Sequence, residues 1–142
     1  MALFQVTKKV QEKYSQLNFY GVQVEDLQTT KKLLYVKARK KRIQREFREM
    51  YNLENLKNIP QVKAIRDLFA AMGVDPWGNL TAVENLTSLL LRGGLPSINS
   101  VVDSCNLASL QTLLPIGIYD ADKVIGELIL DLSDAGDRKS VV

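Results

Sequence analysis

Histidine is absent from this sequence of 142 residues, and cysteine occurs once, at Cys105. The first absence excludes imidazole metal sites and His-based catalytic triads, and the second excludes an internal disulfide, so any chemistry must rest on carboxylates, hydroxyls, amides or water. No apolar run reaches the ~18 residues a spanning helix needs. The opening MALFQVTKKVQEK has no apolar core followed by a small-residue cleavage site, so a cytoplasmic location with no membrane partner is expected. Only 8 Gly and 4 Pro, beside 46% hydrophobic and 25% charged residues, exclude collagen and bulk disorder. A chain of this length buries roughly two thirds of its unfolded surface, which favours one domain with a real core.

Charge is present and unevenly spread. Residues 1–72 carry 15 Lys/Arg against 7 Asp/Glu, whereas 73–142 carry 4 against 9, so a basic part is joined to an acidic one. The densest run lies between positions 31 and 48, where Lys31, Lys32, Lys37, Arg39, Lys40, Lys41, Arg42, Arg45 and Arg48 face one acid, Glu46. Such a run suits a polyanionic partner, or else forms a solvated face that binds nothing.

Hydrophobic periodicity orders the chain. Val6, Val10, Tyr14 and Leu17 predict a first helix, and the aromatic and β-branched stretch Asn18 to Val24 predicts a strand. Leu33, Leu34, Val36, Ile43, Phe47 and Met50 predict one face of a long basic helix. Pro60 suits the first turn of the next helix, whose stripe is Val62, Ile65, Leu68, Phe69 and Met72 and whose stop is Gly73. Thr81 and Glu84 have capping-box spacing ahead of Val83, Leu86, Leu89 and Leu90, closed by Gly93-Gly94. A helix is expected over Val101 to Leu110, then strands over Ile116 to Tyr119 and Lys123 to Leu132. The fold class expected is α/β (α+β), helices on a β-sheet.

Leu95 to Asp122 has no metal-ligand spacing, phosphate-loop glycine pattern or nucleophile elbow. The string Leu95-Pro96-Ser97-Ile98-Asn99, Val102-Asp103, Asn106, Ser109-Leu110, Leu114-Pro115, Gly117, Asp120 and Asp122-Lys123 nevertheless closely resembles the tRNA-editing domain of the phenylalanyl-tRNA synthetase beta chain, in the shorter variant found as free-standing proteins. The helix after Pro60, the GVDPWGNL turn, the LLLRGG helix end and Gly21-Val22 resemble that variant more loosely.

The resemblance implies a domain that receives the acylated 3′ end of tRNA and hydrolyses a wrongly attached amino acid. Positioning an activated ester and a water among hydrogen-bond donors suffices for that in principle. The expected partner is tRNA or aminoacyl-tRNA, with no cofactor and no metal; aminoacylation is not expected. A non-catalytic RNA-binding or synthetase-associated module is the alternative. Two departures from the family pattern stand out: Gly117 occupies the place of a His, and Cys105 that of a frequent hydroxyl residue. The candidate pocket residues are Asn99, Asp103, Asn106, Ser109 and Gly117; the candidate RNA contacts are Lys37, Arg39, Lys40, Lys41, Arg42 and Arg45.

The polar residues at three- or four-residue spacing could instead serve the helix start, with Ser97 or Asn99 as cap and Asp103 and Asn106 bonding nearby backbone. Tyr35 and Tyr51 could stack bases, although their spacing favours packing. Cys105 reads as inert for want of a general base, Asp120 and Asp122 as turn residues, and Trp77 as a hydrophobic plug over its turn.

The organisation expected is a basic segment over 1–58, the first part of an editing-like domain over 59–136, and a non-native tail over 137–142. That tail, DRKSVV, reads like a translated sequencing-library adapter, which suggests a gene fragment. Leu128, Leu130 and Leu132 would then lie on a strand without its expected neighbours, a condition that favours aggregation.

Overall fold

The computed structural model describes residues 4–31, 33–75 and 77–133. The chain divides into two compact units, Met1–Leu27 with Tyr119–Val142, and Gln28–Ile118. The suspected tail over 137–142 lies outside the described residues.

In the first unit, strand β1 (Gln5–Val6) pairs in parallel with β2 (Ile129–Leu130). Gln5 N–H donates to Leu128 O at 2.8 Å and Thr7 N–H to Leu130 O at 3.1 Å. Side chains extend the pairing: Gln5 Nε2 donates to Glu127 at 2.8 Å and the Thr7 hydroxyl to Asp131 Oδ1 at 2.7 Å. Thr7 then caps helix α1 (Lys8–Lys13), whose one buried residue is Val10. The helix is shorter than the spacing of Val6 to Leu17 predicts, because Val6 is drawn into the sheet.

The strand expected over 18–24 does not form. Tyr20 and Val22 are 90% and 86% exposed, and among the described residues no strand pairs with them. The strand expected over 116–119 is likewise absent, and that over 123–132 contracts to β2. Asp120 instead caps a short 3₁₀ turn over Ala121–Lys123 by accepting from Asp122 N–H, the turn role its sequence suggests. The α+β class expected from the sequence holds, with helix dominant and the sheet reduced to one parallel pair.

The second unit is helical: α2 (Leu34–Met50), α3 (Leu53–Leu56), α4 (Pro60–Ala71), α5 (Ala82–Arg92) and α6 (Ser100–Thr112). Pro60 opens α4, where its missing N–H is not needed. At α5 the capping box is complete, Thr81 Oγ1 accepting from Glu84 N–H at 3.3 Å and Glu84 Oε2 accepting from Thr81 N–H at 2.9 Å. Asn99 caps α6 by accepting from Val101 and Val102 N–H.

Val36, Ile43, Phe47, Leu56, Val62, Val83, Leu90, Leu107, Leu110 and Leu113 form the core. Leu113, which ends α6, adopts φ 57°, a left-handed conformation usually taken by glycine; its side chain is wanted in the core, so the strain is retained. Several expected core positions lie outside: Leu34 is 84% exposed, Met50 54% and Leu89 49%. The inward stripe of α2 is instead Val36, Lys40, Ile43 and Phe47, at the three- and four-residue steps of one helix face.

Candidate nucleic-acid interface

Lys40 sits in an apolar stripe and is satisfied there. Its ammonium lies 2.9 Å from Asp103 Oδ2, with the two side chains 13% and 6% exposed, and donates to Pro96 O at 2.8 Å and Ser97 Oγ at 3.1 Å. The other Asp103 oxygen accepts from Ile98 N–H at 3.0 Å. A buried charge needs such a set of partners to offset its desolvation. The network ties α2 to α6 and to the segment before it, so Lys40, a candidate RNA contact by sequence, is turned inward and its donors are used within the fold.

The remaining cations divide by position. Arg42 donates to Glu46 at 2.7 Å across one helical turn, and that bond, with the carboxylate's charge, raises the guanidinium pKa above its ordinary value. Arg39 is half-buried beside Tyr35, Leu107 and Gln111 along a small hollow of about 170 Å³ between α2 and α6. Lys37, Lys41, Arg45 and Arg48 have no side-chain partner among the described residues and share the outer face of α2. At ~1.5 Å per residue this stripe spans about 16 Å. Its C-terminal half borders a shallow hollow of about 360 Å³ lined by Lys41, Gln44, Arg45, Arg48 and Glu49. Gln44 anchors the wall by donating to Leu90 O. Arg48 closes the basic run that the sequence offers to a polyanion, although it is not one of the six residues named as candidate contacts.

The candidate pocket residues are mostly occupied in local structure. Asn99 is a cap, Asp103 holds Lys40, and the Ser109 hydroxyl donates to Leu114 O. Asn106 is half-buried, with no side-chain hydrogen bond among the described residues, and Gly117 is exposed in the irregular segment after α6. Neither hollow described above is lined by any of the five. Cys105 is a free, half-buried thiol. Tyr51 packs on Phe47 with ring centroids 4.8 Å apart, as its spacing suggests, whereas Tyr35 is 69% exposed. Trp77 is 78% exposed and is not a plug. Among the described residues no three acidic or cysteine side chains gather as a metal site, and no helix is long and apolar enough to cross a membrane.

These features define an α+β protein whose second unit presents a basic helix face without side-chain partners among the described residues. Residues 64–140, more than half of the chain, match the B3/4 domain, and the chain belongs to that family. It is a domain found in the phenylalanyl-tRNA synthetase beta subunit. The match takes in most of α4, all of α5 and α6, and β2; α2 precedes it. No curated protein and no solved structure matches the chain.

Proposed function

We propose that this chain is a tRNA-binding member of the B3/4 family that holds the RNA backbone against the outer face of α2. The observation that carries the reading is the stripe Lys37, Lys41, Arg45 and Arg48, four cations on one regular element without side-chain partners among the described residues. Phosphates neutralised by such a stripe release counterions, which makes affinity strong at low salt and weak at high salt. The family's occurrence in a tRNA synthetase subunit supplies the reason for RNA rather than another polyanion.

Hydrolysis of a mischarged ester is the second reading, and Asn106 carries it. Its amide is the one candidate pocket side chain, besides the bare Gly117, left without an internal role, and a positioned amide donor stabilises a developing oxyanion. Asn99, Asp103 and Ser109 serve the fold, which weighs toward a binder over a hydrolase.

Fluorescence anisotropy with labelled tRNA tests the first reading. The Lys37/Lys41/Arg45/Arg48→Gln variant is expected to fold, by circular dichroism, and to bind at least tenfold more weakly; unchanged affinity would refute it. Deacylation of several mischarged tRNAs tests the second. Ester loss above background that falls with Asn106→Ala supports hydrolysis, and background rates throughout leave the binder.

A further inference from the structure

The chain's sole tryptophan lies outside the core and outside α2. Trp77 occupies the turn between α4 and α5 with most of its surface in water. Its position is fixed rather than incidental. Asp75 Oδ1 accepts from Trp77 N–H at 2.9 Å, Asp75 Oδ2 accepts from Gly78 N–H at 3.1 Å, and Asn79 Nδ2 donates to Asp75 O at 2.9 Å. A Cβ at position 78 would stand 2.9 Å from Asp75 Oδ2, so glycine lets the carboxylate close the turn.

Two cations lie over the ring. Arg66 Cζ is 5.7 Å and Lys57 Nζ 5.6 Å from its centroid, within cation–π range. They are held differently. Arg66 Nη1 donates to Glu84 Oε1 at 2.6 Å, with side chains 13% and 2% exposed, and Glu84 is also the capping carboxylate of α5. The helix cap therefore fixes Arg66, and Arg66 steadies the indole. Lys57 has no carboxylate partner among the described residues, so its charge remains available beside the ring.

An aromatic ring that stays largely in water, with a cation over it that has no carboxylate partner among the described residues, offers stacking for a base and attraction for the attached phosphate, the combination used by proteins that hold unpaired nucleotides. We propose that Trp77 and Lys57 form a stacking site for an unpaired nucleotide of the bound RNA, positioned by the Glu84–Arg66 pair. This rests on the RNA-binding reading above and adds a second contact, separate from α2, that distinguishes single-stranded from duplex RNA. The charge of Lys57 favours a nucleic-acid strand over an apolar peptide as the occupant.

Because Trp77 is the only indole, selective excitation reads this site alone. Titration of the intact chain with a short unpaired oligoadenylate is expected to quench its fluorescence, and a blunt RNA duplex of equal length to leave it unchanged. Trp77→Ala should weaken oligoadenylate binding roughly tenfold by anisotropy, and Trp77→Phe, which keeps a stacking face, by less than threefold. The α2 stripe variant should still quench at saturating oligoadenylate. If tRNA binds while the indole does not respond and Trp77→Ala binds normally, the stacking site is refuted and the α2 reading stands. If neither RNA binds at any salt, both fall. Quenching by increasing protein concentration alone would instead make the indole a contact between copies of the chain and overturn the proposal.

Discussion

The inward and outward faces of α2 carry the same residue types under opposite conditions. Lys40 and Lys41 are neighbours in sequence, yet the first is enclosed by Asp103, Pro96 and Ser97, while the second stands on the outer stripe with Arg45 and Arg48. A helical step of about 100° is enough to separate them. Inside, a cation is a structural tie whose loss strands a partner. Outside, it is held in solvent at little cost and is available to a polyanion. Charge density along a sequence therefore counts candidates, and helix rotation sorts them.

The largest effect is expected on the inner face. Asp103→Ala leaves the Lys40 ammonium enclosed without its counter-charge and Ile98 N–H without its acceptor, and should lower stability by about 3–5 kcal/mol in urea unfolding. A loss under about 1 kcal/mol would erase the distinction between the faces, since that is the range of exposed pairs. On the outer face, Lys41→Gln should weaken tRNA binding several-fold and leave stability within about 0.5 kcal/mol, measured by anisotropy and urea titration on the same preparation. Glu46→Gln sharpens the contrast further. It frees Arg42 from its i,i+4 carboxylate and should tighten tRNA binding by roughly twofold.

The smallest effect lies in the first unit. Hydrogen bonds from the Thr7 hydroxyl and Leu132 N–H hold the Asp131 pKa below the usual carboxylate value. A carboxylate depressed on folding stabilises fully above its unfolded pKa, and the contribution is lost as pH falls through the lower folded value. Thr7→Val removes the larger of these bonds and should weaken this acid dependence, read as amide exchange at β1 and β2 between neutral pH and the acid range. An unaltered profile would mean that the carboxylate has no part in holding the strands.

Local signals survived the passage from sequence to structure. Pro60 opens α4, Thr81 and Glu84 close their box, and Asn99 caps α6, because each motif is complete within a few residues. Partnerships across the chain were hidden. The strand expected over 123–132 survives as Ile129–Leu130, but its partner Gln5–Val6 is too short to betray a strand and reads as the start of a helix, while the strand-like composition of 18–24 forms no strand. The identity of the region around Asn99 to Lys123 was legible as a family resemblance, and the family match includes it. The roles of its polar residues were not, since one string serves a pocket or a cap depending on what surrounds it. Lys40 could have been found from the steps 36, 40, 43 and 47. The exposure of Trp77 could not, because hydrophobicity argues for burial, and its contacts with Lys57 and Arg66 come from elements distant in sequence.

The division of α2 into a structural and a binding face is tested most directly by the slope of log affinity for tRNA against log salt concentration. Each phosphate contact contributes roughly 0.7 to 0.9 to that slope. The Lys37/Lys41/Arg45/Arg48→Gln variant is expected to flatten it by about 3 relative to the unaltered chain while unfolding at the same urea concentration. An equal slope in the two proteins would contradict the assignment.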